Sequence, residues 1–252
     1  MLRLLTIEWL KLKSFRMFWV VLFAYTVIIA MVINQASELK LDLPIAQLQA
    51  LQFPDVWHII TWASNTLNIL LAAVMVFYVC DEFRNHTVRK QIIDGLTEAE
   101  FVLGKVLILI SLAIFSTLIL FIIGLMFGVK PPLADNSVVW EKIHYLGLHF
   151  LSLLTYMSLA MLMGVIFKRA IPALMLFIVL HIIEFYFVRR IGGSLIELLP
   201  LHAMDDMISI PFLAGKVTSA PLNSVRTIAI AVAIYFVLFN LLSWFKLKRS
   251  SL

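Results

Sequence analysis

The sequence predicts an all-α integral membrane protein with six transmembrane helices, and three observations carry that prediction. Hydrophobic residues make up 62% of the 252-residue chain and charged residues only 14%, whereas a soluble domain carries roughly 45–50% and about 25%. The apolar residues fall in six runs close to or above the length that crosses the hydrocarbon of a bilayer. The alternating pattern of a barrel strand is absent, and a lipid-exposed span must then satisfy its own backbone hydrogen bonds as a helix. Length therefore counts spans, and residues 1–252 read as a single transmembrane domain. The formal charge of +5 sits at span ends and forms no stripe that could follow nucleic acid, so no nucleic-acid partner is expected. One cysteine, Cys80, excludes a disulfide within the chain and reads as a small buried apolar side chain.

The elements follow in chain order. Residues 1–16 are too charged to span. Leu2, Leu5, Trp9 and Leu12 share one helical face and Arg3, Glu8 and Lys11 fall away from it, a pattern for a helix lying in the membrane interface. The first span, about 17–33, has no small-x-small cleavage pattern after it and is expected to be retained. The polar stretch 34–58 contains LPIAQLQALQF, a candidate surface helix. The second span, about 59–80, carries Ser64, Asn65 and Asn68. A charged island follows, then spans of about 106–129, 145–167, 170–188 and 227–245. Pro172 falls in the first turn of the fifth span, where its missing N–H is tolerated. Between the last two spans, Pro200 and Pro211 divide an apolar connection into pieces too short to cross, which suits short helices or a re-entrant hairpin. Trp19, Trp57, Trp62, Tyr78, Trp140, Tyr145 and Trp244 read as interface anchors.

Lys and Arg set the orientation. With the N-terminus inside, segments 1–16, 81–105, 168–169 and 246–252 face the cytoplasm and hold 13 of the 20 basic residues. Both termini are therefore expected in the cytoplasm. Arg189 and Arg190 oppose this arrangement, but inverting the chain would move the larger group outside.

The charged island, Asp81 to Lys105, holds four of the 20 basic and five of the 15 acidic residues. A short helix from Thr87 to Asp94 is predicted, with Val88 and Ile92 on one side and Gly95 as its terminator. Thr97 to Glu100 has capping-box spacing, and the helix it starts runs into the third span. A solvated loop would not need Val88, Ile92, Ile93, Leu96 and Phe101 so close to water. Some must face span ends, and others could fill a groove on a partner.

This segment resembles a known family. Glu82, Asn85-x-Thr87, Gln91, Gly95-Leu96-Thr97, Glu100-Phe101 and Gly104-Lys105 look like the connection between the second and third spans of type 2 ATP-binding-cassette (ABC) transporter permeases. The resemblance extends to the layout of nearly the whole chain. One departure is Asp94-Gly95, where family members often carry Pro. The resemblance implies that the short helix is a cytoplasmic coupling helix inserted into a cleft of a separate ATPase subunit. It implies docking positions at Glu82, Arg84, Thr87, Val88, Gln91, Ile92, Gly95, Thr97 and Glu100, with polar contacts from Glu82 and Arg84 and apolar ones from Val88 and Ile92. It further implies a second permease subunit, as homodimer or heterodimer, an export function in the cell membrane, and a re-entrant outer segment between spans five and six. ATP and Mg would belong to the partner, with no cofactor on this chain.

The residues agree that nucleotide chemistry lies elsewhere. A phosphate-cradling loop needs G-x-x-x-x-G-K-[ST]. Gly104-Lys105 is followed by Val106 and preceded by Ala99 at the first Gly position; Gly215-Lys216 is followed by Val217, with Ile210 there. No nucleophile–base pair is readable from spacing, so no enzyme activity is expected. Other polar groups lie at membrane depth, where ionisable side chains are expensive and functional candidates. His181 and Glu184 share a helical face and could pair or line a substrate path. Asn65 and Asn68 could hydrogen-bond across a helix interface. His144 and His149 are off one face and poor as a metal pair, while His202 with Asp205 and Asp206 could bind a cation. Two other readings stay open: an intramembrane enzyme and a secondary transporter, each using His181 and Glu184. Neither an internal repeat nor broken mid-membrane helices support the second.

Overall fold

The computed structural model describes residues 2–38, 53–93, 95–128, 138–191, 193, 196–209 and 223–249. Among them there is no strand. The helices are α1 (Leu2–Ser14), α2 (Arg16–Glu38), α3 (Val56–Arg84), α4 (Thr87–Ile93), α5 (Glu98–Gly128), α6 (His144–Phe167), α7 (Ala170–Ile191), α8 (Pro200–Asp206) and α9 (Val225–Arg249), with a 3₁₀ turn at Val138–Trp140. Six of them, α2, α3, α5, α6, α7 and α9, are long and apolar enough to cross a membrane. The chain is thus an all-helical, multi-pass membrane protein, and the six expected spans fall on these six helices. The candidate surface helix at 43–53 and the loop around Pro131 and Pro132 lie largely outside the described residues, as does most of 210–222.

Helix α6 is the centre of the packing. In its most apolar stretch 78% of residues are buried, against 11% in α7 and 22% in α9. It touches α3, α5, α7, α8 and α9. Lipid tails are as apolar as leucine, so close approach and polar pairing, more than hydrophobicity, decide which helices meet. The α6 face toward its neighbours carries Ser152, Thr155, Ser158, Ala160 and Gly164, all buried. A Cβ at Gly164 would lie 3.1 Å from Val79 Cγ1, so the missing side chain lets α3 approach. Likewise Gly124 of α5 receives the Trp57 ring of α3, whose Cζ3 would be 2.4 Å from a Cβ there. Trp57 is fully buried and donates to the Val139 carbonyl at 2.6 Å. It is a packing residue, not the interface anchor expected. Tyr78, also expected at the interface, is buried as well.

Two ends can be told apart by their contacts. At one, α1 meets the C-terminus of α3 and the start of α5 through Glu8, Glu82 and Lys105. At the other, Lys142 pairs with Asp55 at 2.5 Å and the His58 ring meets the Ser209 carbonyl at 2.8 Å. Segments 1–16 and 81–105, both expected on one side of the membrane, thus meet at one end of the bundle.

The charged island folds as its residues dictate. Helix α4 ends in a Schellman arrangement: Leu96 N–H donates to Gln91 O at 3.0 Å and Gly95 N–H to Ile92 O at 3.1 Å. Gly95 has φ +94°, a conformation that a side chain would strain. The capping box forms in both directions, Thr97 N–H to Glu100 Oε2 at 2.9 Å and Glu100 N–H to Thr97 Oγ1 at 3.2 Å.

Replacing Gly124 by Ala should push against the rigid Trp57 ring and lower stability by about 1–3 kcal/mol, the usual range for overpacking. Gly147→Ala, which meets no atom within 4 Å, should be near neutral. Thermal unfolding of the two variants in detergent, followed by tryptophan fluorescence, checks the difference.

Candidate functional site

Two polar constellations interrupt the apolar interior. The first is an ion cluster at the α1 end. Lys105 begins the apolar part of α5 and is fully buried. Its ammonium lies 2.5 Å from Glu8 Oε2 and 2.7 Å from Glu82 Oε2. Lys11 closes the ring, 2.8 Å from Glu8 Oε1 and 3.0 Å from Glu82 Oε1. Two carboxylates and two ammonium groups balance. Tyr78 donates its hydroxyl to Glu8 Oε2 at 2.8 Å, and its ring and that of Phe101 lie 4.6 and 4.9 Å from the Lys105 nitrogen. Gly104 makes room: a Cβ there would lie 3.3 Å from Glu8 Cγ.

Burial raises the Glu8 carboxyl, but Lys105 and then Lys11 outweigh it, and the net shift is downward. For Lys11, burial favours the neutral amine, yet Glu82 and Glu8 hold the ammonium and the net shift is upward. The Glu8 contribution to stability is therefore present above the usual carboxyl value of 4.5 and lost as pH falls through the lowered one. The Lys11 contribution is present below 10.5 and lost as pH rises past it.

This cluster corrects two expectations. Glu8 was placed on the water-facing side of the N-terminal helix, whereas Glu8 and Leu12 are buried and Trp9 is exposed. Glu8 turns inward to meet the buried Lys105 cation, and Leu12, one turn further along the same side, is buried with it. Glu82 was placed at a docking edge, whereas it lies inside the same ring. Val88 is buried too, as part of the apolar core. Arg84 is exposed and pairs with Asp81 at 2.5 Å. Thr87, Gln91 and Ile92 are half-buried, and Gly95, Thr97 and Glu100 are at the surface. On α4 the most exposed large apolar side chain is Ile93, 75% accessible.

The second constellation lies at the opposite end, around α8. Asn68 donates to Asn65 Oδ1 at 2.8 Å, and Ser152 of α6 donates to the same oxygen at 2.9 Å. Asn65 in turn donates to the carbonyls of Met204 and Asp205 at 3.3 and 3.2 Å. The two asparagines thus pair within α3 and also fasten α3 to α6 and α8. Tyr156 donates to Asp205, whose other carboxylate oxygen is 3.6 Å from His181 Nε2. His181 and Glu184 do not pair. Glu184 Oε2 accepts the N–H groups of Leu201 and His202 at 2.9 and 3.0 Å, supplying the cap that Leu199 cannot give α8. His202 pairs with Asp206 at 3.2 Å while Asp205 turns to Tyr156, so the expected cation trio is split. Among the described residues no three His, Cys, Asp or Glu side chains converge as metal ligands. Burial raises the Asp205 and Asp206 carboxyls above their ordinary value.

A smaller buried group links four spans. The Tyr25 hydroxyl is 2.5 Å from Ser64 Oγ and 2.7 Å from Ser116 Oγ, and Ser64 Oγ is 3.4 Å from His149 Nε2. Such groups hold membrane helices together when no water can satisfy them.

Sequence reasoning missed the Glu8–Lys105 pair because the two are 97 positions apart. The available signal was Lys105 itself, a cation followed by a long run without any charge, which requires a counter-charge from elsewhere.

The fold and these sites define a polytopic helical membrane protein with an ion-locked end and a polar helix cap at the other. The chain belongs to the family described as protein of unknown function DUF2705, whose model matches residues 17–252. No curated protein and no solved structure matches it.

Lys105→Met should leave Glu8 and Glu82 short of positive charge in the interior and destabilise the protein by roughly 3–5 kcal/mol, as for other broken buried pairs. Adding Glu8→Gln should restore part of that loss, and a double-mutant cycle on thermal unfolding measures the coupling. Wild-type stability from this cluster should be level at neutral pH and fall as pH drops below 4.5. The Lys105→Met/Glu8→Gln protein should show a weaker acid dependence.

Proposed function

We propose that this chain is the membrane-spanning permease subunit of an ATP-driven ABC transporter, acting as an exporter in the cell membrane with both termini in the cytoplasm. ATP and Mg act on separate ATPase subunits, and a second permease subunit completes the transporter. The chain itself carries out no catalysis. The observation that carries this reading is α4. It is a seven-residue helix held at one end by the Gly95 turn and followed at once by the capped start of α5. It presents exposed Ile93 and Lys90, and Arg84 at the end of α3 is exposed too. An isolated helix this short is unstable in water, so its fixed ends suit it to receive a partner's groove.

The ion cluster gives such docking a mechanical consequence. Helix α4 is joined to α3 on one side and α5 on the other, and Glu8, Glu82 and Lys105 tie both to α1. A displacement of α4 by a closing ATPase pair would tilt α1, α3 and α5 together. The weakly buried α7 and α9 present apolar faces suited to lipid and to a second permease chain.

Secondary transport is the reading that the Tyr156–Asp205–His181 group favours, since a carboxylate and an imidazole at a span end can exchange a proton. It requires activity without ATP, and loss of that activity in Asp205→Asn, which removes the titratable carboxylate of the group.

The permease reading expects an ATPase subunit to copurify with the tagged chain from its native membrane. Ile93→Asp with Lys90→Glu should abolish that association while leaving thermal stability unchanged, because both side chains point outward. Absence of any ATPase from the wild-type preparation, or full transport by the double variant, would sink it.

A further inference from the structure

A cavity of about 920 Å³ lies between the C-terminal turn of α3, α4 and the start of α7. Its walls are of two kinds. Phe77, Phe83, Val88, Ile171 and Pro172 give an apolar side. Arg84, Lys168 and Arg169 give a basic rim, against one carboxylate, Asp81, which Arg84 and Asn85 already engage. The Lys168 ammonium lies 5.6 Å from the Phe83 ring centroid, at the border of the two surfaces. The Arg169 side chain is exposed and has no partner among the described residues.

We infer that this cavity binds an anionic phospholipid, with its phosphodiester headgroup on Lys168 and Arg169 and an acyl chain along Ile171 and α7. Three features of the site select that occupant. The site lies at the ends of membrane spans, where headgroups lie. The rim has a net positive charge, so a zwitterionic headgroup gains less from it than an anionic one. The apolar wall continues onto the helix with the most exposed membrane stretch: Ile171 is 75% accessible and leads directly along α7. A free phosphate would use the rim and leave the apolar wall in water. A docked protein would leave the lipid-facing side of the cavity unfilled. The inference needs only the membrane-spanning fold and holds whatever the chain transports.

Native mass spectrometry of the full chain in detergent, titrated with phosphatidylglycerol, tests it. One lipid per chain should be retained in preference to phosphatidylcholine. Each basic residue beside an anionic headgroup contributes about fivefold, so Lys168→Gln with Arg169→Gln should weaken retention roughly thirtyfold. Lys246→Gln with Lys248→Gln, which removes the same charge from α9 away from the cavity, should leave it unchanged. Ala170→Trp, which fills the cavity at constant charge, should also weaken retention, so the result does not rest on one variant. All three proteins should keep the wild-type unfolding temperature in lipid-free detergent. Equal losses from both charge pairs, equal retention of phosphatidylcholine, or competition by glycerol phosphate as strong as by the lipid would each overturn the inference. So would a copurifying protein that covers the cavity and excludes the lipid.

Discussion

An ammonium group taken out of water must be met by negative charge, and the position of Lys105 makes that requirement organise one end of this protein. Its side chain is fully buried where α5 enters its apolar run. Neither neighbouring turn of α5 supplies an acid within reach, so the counter-charges come from α1 and α3. Glu8 and Glu82 bring these helices to α5, and Lys11 balances the second carboxylate. Such a ring gives little net stability compared with well-packed apolar residues. Its effect is to fix register, since a shift of any of the three helices would leave a charge unpaired.

At the opposite end the same logic operates through hydrogen bonds. Helix α8 is too short to stand alone, and its N-terminal N–H groups are met by Glu184 from α7. Its C-terminal carbonyls are met by Asn65 and Ser152 from α3 and α6. Tyr156 holds Asp205. The α8 part of the connection between α7 and α9 is thus a fixed element packed on protein, the setting in which non-spanning backbone is tolerated at membrane depth. Between the two ends, small residues on α6 and the Gly124–Trp57 contact let the helices approach closely.

The two locked ends bracket a bundle whose outer helices, α7 and α9, pack on α6 and leave most of their surface exposed. Helices α7 and α9 bury little, so most of their surface is available to lipid or another subunit. The short helix α4 and the cavity beside it lie at the ion-locked end, where a force applied from outside the membrane would meet three helices already tied together.

Residue order by itself determined the six spans, because apolar run length is a local property set by bilayer thickness. It also determined the Gly95 stop and the Thr97–Glu100 cap, whose partners are three to five positions apart. It could not place Glu8, because helical periodicity puts that residue on the polar face and only the distant Lys105 reverses its direction. It left the partners of His181 and Glu184 open, because helical spacing shows who shares a face and not what approaches it. The tertiary structure sent one to Asp205 and the other to the start of α8. Val88, Trp57 and Tyr78 followed the same rule: their local context suited a surface, and long-range packing buried them. Local geometry is written within a few turns of chain, whereas the balance of a buried charge depends on residues that only the folded bundle brings together.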